Sequence, residues 1–355
     1  MKAKYFLILL IAISLFSCKG GSSDPDRYTE FDSLIDHAKG IAMGDELDIY
    51  LFCDKDNWEA VSPFIQGIIE QEVLLVYPEK YFNLIPKDIS EYPTYAKYRN
   101  LMFIGDLESS GKVSKHMRES LAGDFITRVQ QSGGDLFVAK NYATRDQLIL
   151  YLLASNPLNL KKVAAVQGEK IYEILLQRLV MRQGYQAYQQ KVIPAHFWEH
   201  YPFTMQIPDN YVLYSNDKEG RFLSLLYRAR MQEREIPDKY INIYYEEMDE
   251  ADFGIEWFIE KRKELGEKYF EGDKLTEETM RKSQTRLAGF DVLKLAGAWT
   301  NEKHLIGGAF QSYAFYHEGK SYLIDNVVYF PAGDKLPVLT ELFAISNSFR
   351  IKEQN

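Results

Sequence analysis

The sequence predicts a mixed α/β and α+β protein made of two α/β sandwich modules, the second an antiparallel sheet with a long helix and a C-terminal helix. In the first half, short apolar runs alternate with segments whose apolar residues recur at helical spacing, which is typical of a mixed sheet covered by helices. In the second half, strand-like runs follow each other with short turns between them, and two helical segments accompany them. This order is typical of antiparallel strands with helices segregated to one side.

Length and composition agree with this architecture. The chain has 355 residues, of which 46% are hydrophobic and 26% charged. That is enough for two domains of roughly 100–200 residues, each with its own core. The net charge of -9 argues against nucleic acid as a partner, because binding phosphates requires an excess of Lys and Arg.

The N-terminus predicts a signal peptide over residues 1–17. Met1–Lys4 is a short basic region, and the apolar run Tyr5–Phe16 is shorter than the roughly 20 residues of a membrane-spanning helix. The run ends in Leu15-Phe16-Ser17-Cys18, which resembles the lipobox of bacterial lipoproteins. The resemblance implies that Cys18 is lipid-modified and becomes the mature N-terminus. The alternative is an ordinary secretory peptide with an incidental cysteine.

A lipid on Cys18 places the protein in the cell envelope, anchored to a membrane. The residue after Cys18 is Lys19 and not Asp, which is compatible with sorting to the outer membrane. Cys53 is then the remaining cysteine, so no internal disulfide can form and stability depends on the core. Because Cys53 ends an apolar strand-like run, we interpret it as a small buried hydrophobe and not as a nucleophile.

The chain is predicted to divide into segments 1–17 (signal peptide), 18–44 (tether and short helix), 45–193 (N-terminal α/β domain), 194–202 (hinge) and 203–355 (C-terminal α+β domain). In the N-terminal domain the pattern predicts strands at Leu47–Cys53, Tyr81–Ile85, Leu101–Ile104 and Leu136–Ala139. It predicts helices at residues 30–42, Trp58–Ile69, Ser114–Gln131, Thr144–Ala154 and Leu158–Met181.

In the C-terminal domain the pattern predicts strands at Phe203–Ile207, Phe222–Arg228 and Ile241–Tyr245, and three more within 287–333. Phe253–Phe270 is predicted to be an amphipathic helix that buries a face containing Arg262. A closing helix follows, with Asp334 as its N-cap and Pro337 in its first turn.

Several stretches of the chain resemble an uncharacterised family of Gram-negative lipoproteins, domain of unknown function 4837. The stretches are Asp54–Trp58, Tyr98–Leu101, Phe203–Pro208, Trp257–Arg262, Ala298-Trp299, Gly307–Tyr313 and Asp325–Tyr329. The family has Pro and Gly where this chain has Ala309 and Asn326, which marks a divergent member. The resemblance implies no activity. The second half also resembles the Mog1/PsbP-like sandwiches, which mostly act as binding or assembly modules.

The motifs that would identify a reaction are missing from the sequence: no G-x-S-x-G, H-E-x-x-H, C-x-x-C or nucleotide fingerprint is present. The loop Gly105–Lys112 has five residues between its glycines where a phosphate-binding loop has four. His196 and His200 are spaced for a metal on one helix face, but Pro194 and Pro202 interrupt the segment. No metal or cofactor is therefore predicted.

The predicted ligand-binding residues are Trp299, Gly307, Gly308, Tyr313, Asp325 and Asn326. Glycines allow close approach of a ligand, and aromatic rings beside polar side chains suit a glycan or a peptide. The alternative is a core with its turn. Asp325 and Asn326 are adjacent in the middle of a strand, where successive side chains point to opposite faces. At least one of them should therefore be buried, bulged or facing a cavity.

The sequence favours a non-catalytic, lipid-anchored envelope protein that binds a protein or glycan partner. The alternative is a carboxylate-dependent hydrolase that acts on envelope glycans, because a pair of carboxyl groups leaves little local signature. A third possibility is a purely structural subunit of an envelope assembly.

The lipid anchor can be tested by changing one residue. Cys18→Ala should leave an unprocessed precursor without acyl chains, because the acylated thiol is gone. Labelling with radioactive palmitate and the mass of the purified chain measure this. Normal palmitate labelling of the variant would contradict the assignment; Cys53→Ala, outside the lipobox, is the matched control.

Overall fold

A computed structural model describes residues 27–232 and 234–353. The predicted signal peptide, 1–17, and Cys18 lie outside the described residues. Within those ranges, every helix is too short or too polar to cross a membrane. The α-helices are α1 Lys55–Ile69, α2 Tyr92–Tyr95, α3 Lys112–Ser120, α4 Gly123–Ser132, α5 Pro157–Ala187, α6 Ile255–Tyr269 and α7 Leu336–Ser346.

The first half forms a five-stranded sheet and a small hairpin. The strands are β1 Asp48–Cys53, β2 Glu72–Leu74, β3 Pro78–Lys80, β4 Asn83–Lys87, β5 Asn100–Asp106, β6 Gly134–Lys140 and β7 Leu148–Ala154. The order in the sheet is β4-β1-β5-β7-β6, and β2 pairs with β3. β6 runs antiparallel to β7 and the other pairs are parallel, which confirms the predicted mixed sheet.

The second half forms a larger antiparallel sheet. The strands of the second half are β8 Phe203–Thr204, β9 Val212–Asp217, β10 Phe222–Tyr227, β11 Asp238–Glu247, β12 Lys274–Leu275, β13 Arg281–Leu287, β14 Phe290–Asn301, β15 Ile306–His317, β16 Lys320–Tyr329 and β17 Arg350–Ile351. The order is β12-β14-β15-β16-β11-β10-β9, β13 also pairs with β14, and β8 pairs with β17 outside this sheet.

Helices cover both faces of the antiparallel sheet, so the predicted segregation to one side is wrong. α6 packs on one face and α7 on the other. The reason is visible along β15 and β16, where nearly every residue is buried. A sheet covered on one face would bury only every second residue. A strand buried on both faces requires cover on both.

Three helices, α1, α5 and α7, lie between the two sheets. α1 and α5 pack on the five-stranded sheet of the first half, α5 packs on α7, and α7 packs on β11 and β16. One continuous apolar core joins these elements. α1 and α5 approach closely at Gly168, where a Cβ would lie 2.8 Å from the carbonyl oxygen of Phe64. The opposite face of the five-stranded sheet packs on α3 and α4.

The predicted hinge 194–202 contains a 3-10 helix, Ala195–Trp198, and the Trp198 ring is buried in the shared core. The division into domains 45–193 and 203–355 stays a prediction.

A carboxylate from the first half caps the closing helix of the second. Glu79 of β3 is buried, and its Oε2 accepts hydrogen bonds of 2.8 Å from the backbone N–H groups of Lys335 and Leu336. The prediction that Asp334 is the N-cap is therefore wrong. The cap position is Lys335, and the carboxylate that satisfies the helix end arrives through tertiary packing, which local sequence does not encode.

Other elements differ from their predictions. Residues 148–154 form strand β7 and not the predicted helix. The prediction failed because an apolar run that is buried on both faces has no periodicity that distinguishes a strand from a helix. The predicted helix Ser114–Gln131 is interrupted between α3 and α4. Within 30–42 only the 3-10 helix Glu30–Leu34 forms. Strand β9 was not predicted.

Removing the cap carboxylate should destabilise the contact between the halves. Glu79→Ala should lower the free energy of unfolding by about 1–2 kcal/mol, since two buried N–H groups lose their acceptor. Glu79→Gln, which keeps an acceptor oxygen, should cost less. Chemical denaturation measures both. Glu72→Ala, an exposed position on the neighbouring strand β2, is the control; equal losses at 72 and 79 would contradict the capping role.

Candidate functional site

Asp325 and Asn326 are both buried, on opposite faces of β16. This confirms the expectation that at least one of the two is removed from solvent. Asp325 faces α6 and Asn326 faces α7. Each therefore has to be explained by what it contacts on its own side.

Asp325 holds α6 onto the sheet. Its Oδ1 lies 2.9 Å from Nε of Arg262, and both side chains are almost completely buried. The Ser312 hydroxyl donates to Oδ1 at 2.6 Å and the Asn242 amide donates to Oδ2 at 3.2 Å. The guanidinium also lies over the ring of Phe310, 5.0 Å from its centroid. A buried ion pair with this many partners fixes the position of the helix.

Asn326 has a similar role on the other face. The Ser346 hydroxyl of α7 donates to its Oδ1 at 3.0 Å. Tyr313 lies on this face as well, completely buried, and its hydroxyl donates to Oε1 of Gln311 at 2.9 Å. These polar groups lie in the core between the sheet and α7.

Gly308 makes room for the indole of Trp299. A Cβ at Gly308 would lie 2.0 Å from the carbonyl oxygen of Val328 and 2.8 Å from Nε1 of Trp299. The indole N–H donates to that same carbonyl at 3.3 Å. Gly307 precedes it on β15, where a Cβ would lie 2.8 Å from the carbonyl oxygen of Trp299. The close approach that the two glycines predicted is thus between strands of the protein itself.

The six predicted ligand-binding residues do not share one surface. Trp299 and Asp325 face α6, and Tyr313 and Asn326 face α7. Trp299 is the member of the set that borders the cavity described next.

A cavity of about 250 Å³ opens beside Trp299, on the α6 face of the antiparallel sheet. We call it the aromatic cavity. Its walls combine five aromatic rings with charged and amide side chains: Tyr214, Arg228, Arg230, Asp238, Tyr240, Phe270, Glu271, Asp273, Trp299, Asn301, His304, Ile306, Val327 and Tyr329.

Three rings form one wall of the aromatic cavity. Tyr214 stacks on Phe270 with the ring centroids 5.8 Å apart. Tyr240 meets both of them edge-on, at 5.3 and 5.8 Å. Tyr214 belongs to the edge strand β9 and is 46% exposed, so this wall reaches the protein surface.

Asp238 provides an acceptor beside these rings. Arg228 binds its Oδ2 through Nε, at 2.8 Å, and Nη2 of the same arginine donates to the hydroxyl of Tyr240 at 3.2 Å. The other oxygen, Oδ1, is buried and has no hydrogen-bond partner among the described residues. This oxygen is enclosed by the protein, so the unpartnered acceptor is not exposed to a ligand in the cavity.

Asp273 is the most perturbed carboxyl group of the aromatic cavity. Burial raises its pKa to about 6, although Asn301 donates to Oδ1 at 2.7 Å. A carboxyl group that takes up its proton close to neutral pH is more common at functional sites than on ordinary surfaces.

The rim of the aromatic cavity is charged on one side and apolar on the other. Glu271 pairs with Lys303 and with Nε2 of His304, at 3.0 Å for the histidine, and these contacts lower the pKa of Glu271. Beside them Leu305 and Ile306, at the β14–β15 turn, are exposed. Exposed apolar side chains around a concave site are typical of binding surfaces.

Most of this cavity could not be predicted from the sequence. Its residues come from β9, β11, β16, the segments after β10 and after α6, and the β14–β15 hairpin, and only tertiary packing brings them together. Asp238 and Asp273 have no local motif.

The other motifs considered in the sequence have structural partners. The Asp54 carboxylate accepts from the backbone N–H groups of Val113 and Ser114, 3.0 Å each, so an internal anion already occupies the helix start behind the loop Gly105–Lys112. No group of three metal-ligating side chains is found within 27–232 and 234–353, and His196 and His200 are exposed.

The model of the family described as Domain of unknown function (DUF4837) matches residues 190–348. The predicted resemblance is therefore confirmed for the second half, which contains the aromatic cavity. The stretches Asp54–Trp58 and Tyr98–Leu101 lie outside the match. No curated protein matches the chain.

Solved structures are similar to parts of the chain at low scores. A protein of Bacteroides thetaiotaomicron VPI-5482 has a TM-score of 0.28 at 9% identity; the match covers 44% of this chain and 47% of that one, about half its length. LpqN of Mycobacterium tuberculosis, described as involved in cell envelope biogenesis, has a TM-score of 0.25 at 14% identity, over 42% and 83%. Cyanobacterial PsbP (CyanoP) of Synechocystis sp. PCC 6803 has a TM-score of 0.28 at 10% identity, and the match covers 42% of this chain and 87% of that one.

Breaking the buried ion pair should be far more damaging than removing both partners. Asp325→Ala should lower the free energy of unfolding by about 3–5 kcal/mol, because Arg262 is left buried without its partner. The double variant Arg262→Met/Asp325→Leu should recover part of this loss. Denaturant titration measures both. Lys263→Met, a half-exposed position on the same helix with a surface ion pair to Glu260, is the control and should cost less than about 1 kcal/mol. If the double variant loses as much as Arg262→Met and Asp325→Leu lose separately when added together, the pairing is contradicted.

Proposed function

We propose that the protein is a lipid-anchored component of the cell envelope whose second half binds a glycan residue in the aromatic cavity. The observation that carries the proposal is the combination, in one concave site, of stacked aromatic rings with charged and amide side chains. The lipid anchor rests on the sequence around Cys18, and the binding role on this geometry.

The cavity chemistry suits a sugar. The apolar faces of sugar rings stack on aromatic side chains such as Tyr214, while hydroxyl groups need both acceptors and donors. Glu271 offers an acceptor, and Arg230 and His304 offer donors, in the lining of the same cavity. The volume of about 250 Å³ is below the roughly 300–1,000 Å³ of pockets for drug-sized molecules, so one ring is the size that fits.

One observation favours the alternative, a carboxylate-dependent glycan hydrolase. Asp238 and Asp273 line the same cavity, and the raised pKa of Asp273 is a property of a general acid. Both groups, however, are engaged inside the protein, Asp238 by Arg228 and Asp273 by Asn301. We therefore favour binding without catalysis.

The test is a glycan array probed with the detergent-solubilised full chain, followed by calorimetry on the best ligand. Tyr214→Ala should weaken binding on the order of tenfold, because one stacking wall is lost. Tyr142→Ala, an exposed tyrosine in the first half, should leave the affinity unchanged.

Three results would overturn the proposal. They are an array without a bound glycan, binding that Tyr214→Ala does not change, and capture of a peptide in preference to every glycan. Release of shorter glycans that Asp273→Asn abolishes would establish the hydrolase instead.

A further inference from the structure

We propose that a second cavity, in the first half of the chain, binds a small amphiphilic anion: a carboxylate or phosphate group joined to an apolar body. This cavity has a volume of about 390 Å³ and lies outside the carboxyl ends of β1 and β4. We call it the switch-point cavity. It shares no residue with the aromatic cavity, and the proposal is independent of the proposed function.

The strand order places a crevice at this position. From β1 the chain passes through α1 to β4 on one side of β1, and then to β5 on the other side. α1 packs on the sheet face toward α5, and α3, which follows β5, packs on the opposite face. The two helices therefore diverge at the carboxyl end of β1. In open sheets with parallel strands, ligands bind in the crevice outside the carboxyl ends at such a point.

The lining of the switch-point cavity carries more available positive than negative charge. Lys55, Lys87 and Lys112 line it, with Asp54 and Asp88 as the carboxylates. The chain as a whole has a net charge of -9, so a concentration of three lysines at one cavity runs against the average. A ligand that is attracted here is an anion.

Both carboxylates of this cavity are already engaged by donors of the protein. Asp54 accepts from two backbone N–H groups at the start of α3. Asp88 accepts from the backbone N–H of Ser90 at 2.8 Å and from its hydroxyl at 2.6 Å. Neither has to recruit a lysine to be satisfied.

Lys55 and Lys87 have partners at the protein surface with which an anionic ligand would compete. Lys55 is exposed, and its Nζ is 3.8 Å from Oε1 of Glu59, a surface pair of the kind that contributes little. Nζ of Lys87 lies over the ring of Tyr95, 4.7 Å from the centroid. Lys112 is the first residue of α3. Each has a long flexible side chain that can reorient at small cost.

The remaining wall is apolar and unreactive. Trp58, Ile89 and Val113 line it, and they provide a surface for a ring or short chain attached to the anionic group. Cys53 also lines the cavity, but burial raises the pKa of its thiol well above its ordinary value. The thiol therefore stays protonated, and the chemistry that the site supports is reversible binding.

Calorimetry on the full chain in detergent tests the proposal with four probes: phenyl phosphate, benzoate, inorganic phosphate and benzyl alcohol. The two aromatic anions should bind, and inorganic phosphate and the neutral alcohol should bind at least tenfold more weakly. Tighter binding of phenyl phosphate would indicate a phosphate ligand, and tighter binding of benzoate a carboxylate ligand. Quenching of tryptophan fluorescence by the bound anion should disappear in Trp58→Phe.

Charge reversal supplies the decisive comparison. Lys55→Glu/Lys112→Glu should weaken binding of the anions at least tenfold, and Lys162→Glu, an exposed lysine on α5, should leave it unchanged. Thermal unfolding of each variant shows that the fold is retained; if the double variant unfolds early, Lys55→Gln/Lys112→Gln replaces it. Equal binding of benzyl alcohol, or unchanged anion affinity in a folded lysine variant, would overturn the proposal.

Discussion

The helix layer between the two sheets is the constraint on which the rest of the structure depends. α7 is buried nearly all round, because α5 covers one side of it and the antiparallel sheet the other. Both sheets therefore present an apolar face to this layer. Their outer faces, also apolar, then require α3 and α4 on one side of the molecule and α6 on the other.

Burial on both faces of the central strands determines how polar residues are used there. A polar side chain on β16 cannot reach water, so it must find its partners on a covering helix or a neighbouring strand. Asp325 finds Arg262 and Asn326 finds Ser346. The two residues that looked like a ligand site in the sequence are thus the polar contacts that set the positions of α6 and α7. The desolvation of such a pair offsets most of its attraction, so its contribution is mainly positional specificity.

Periodicity predicts what is locally encoded and misses what is not. The long helix α5 begins at Pro157 after the N-cap Asn156, close to its predicted start, because capping and spacing are local signals. The buried strand β7 was taken for a helix because its burial on both faces removes the alternation. The cap of α7 comes from Glu79, more than 250 residues away in sequence, and no local pattern encodes it. The aromatic cavity was missed for the same reason. Of its lining residues, only Trp299 was predicted to bind a ligand, and that prediction came from its neighbours in the sequence and not from its neighbours in space.

Asp325, which the sequence predicted to be a ligand-binding residue, nevertheless influences a residue that lines the aromatic cavity. The charges of Arg262 and Asp325 both act on Asp273, the first lowering and the second raising its pKa. Gly266 of α6 holds the backbone of Asp273 in place, because its carbonyl accepts from the N–H of Asp273 at 3.2 Å and a Cβ at Gly266 would lie 2.4 Å from the carbonyl oxygen of Asp273. The ion pair that positions α6 therefore also positions the carboxyl group at the wall of the aromatic cavity. A shift of α6 that weakened the pair would displace Asp273, so the stability of this helix and the shape of the cavity are coupled.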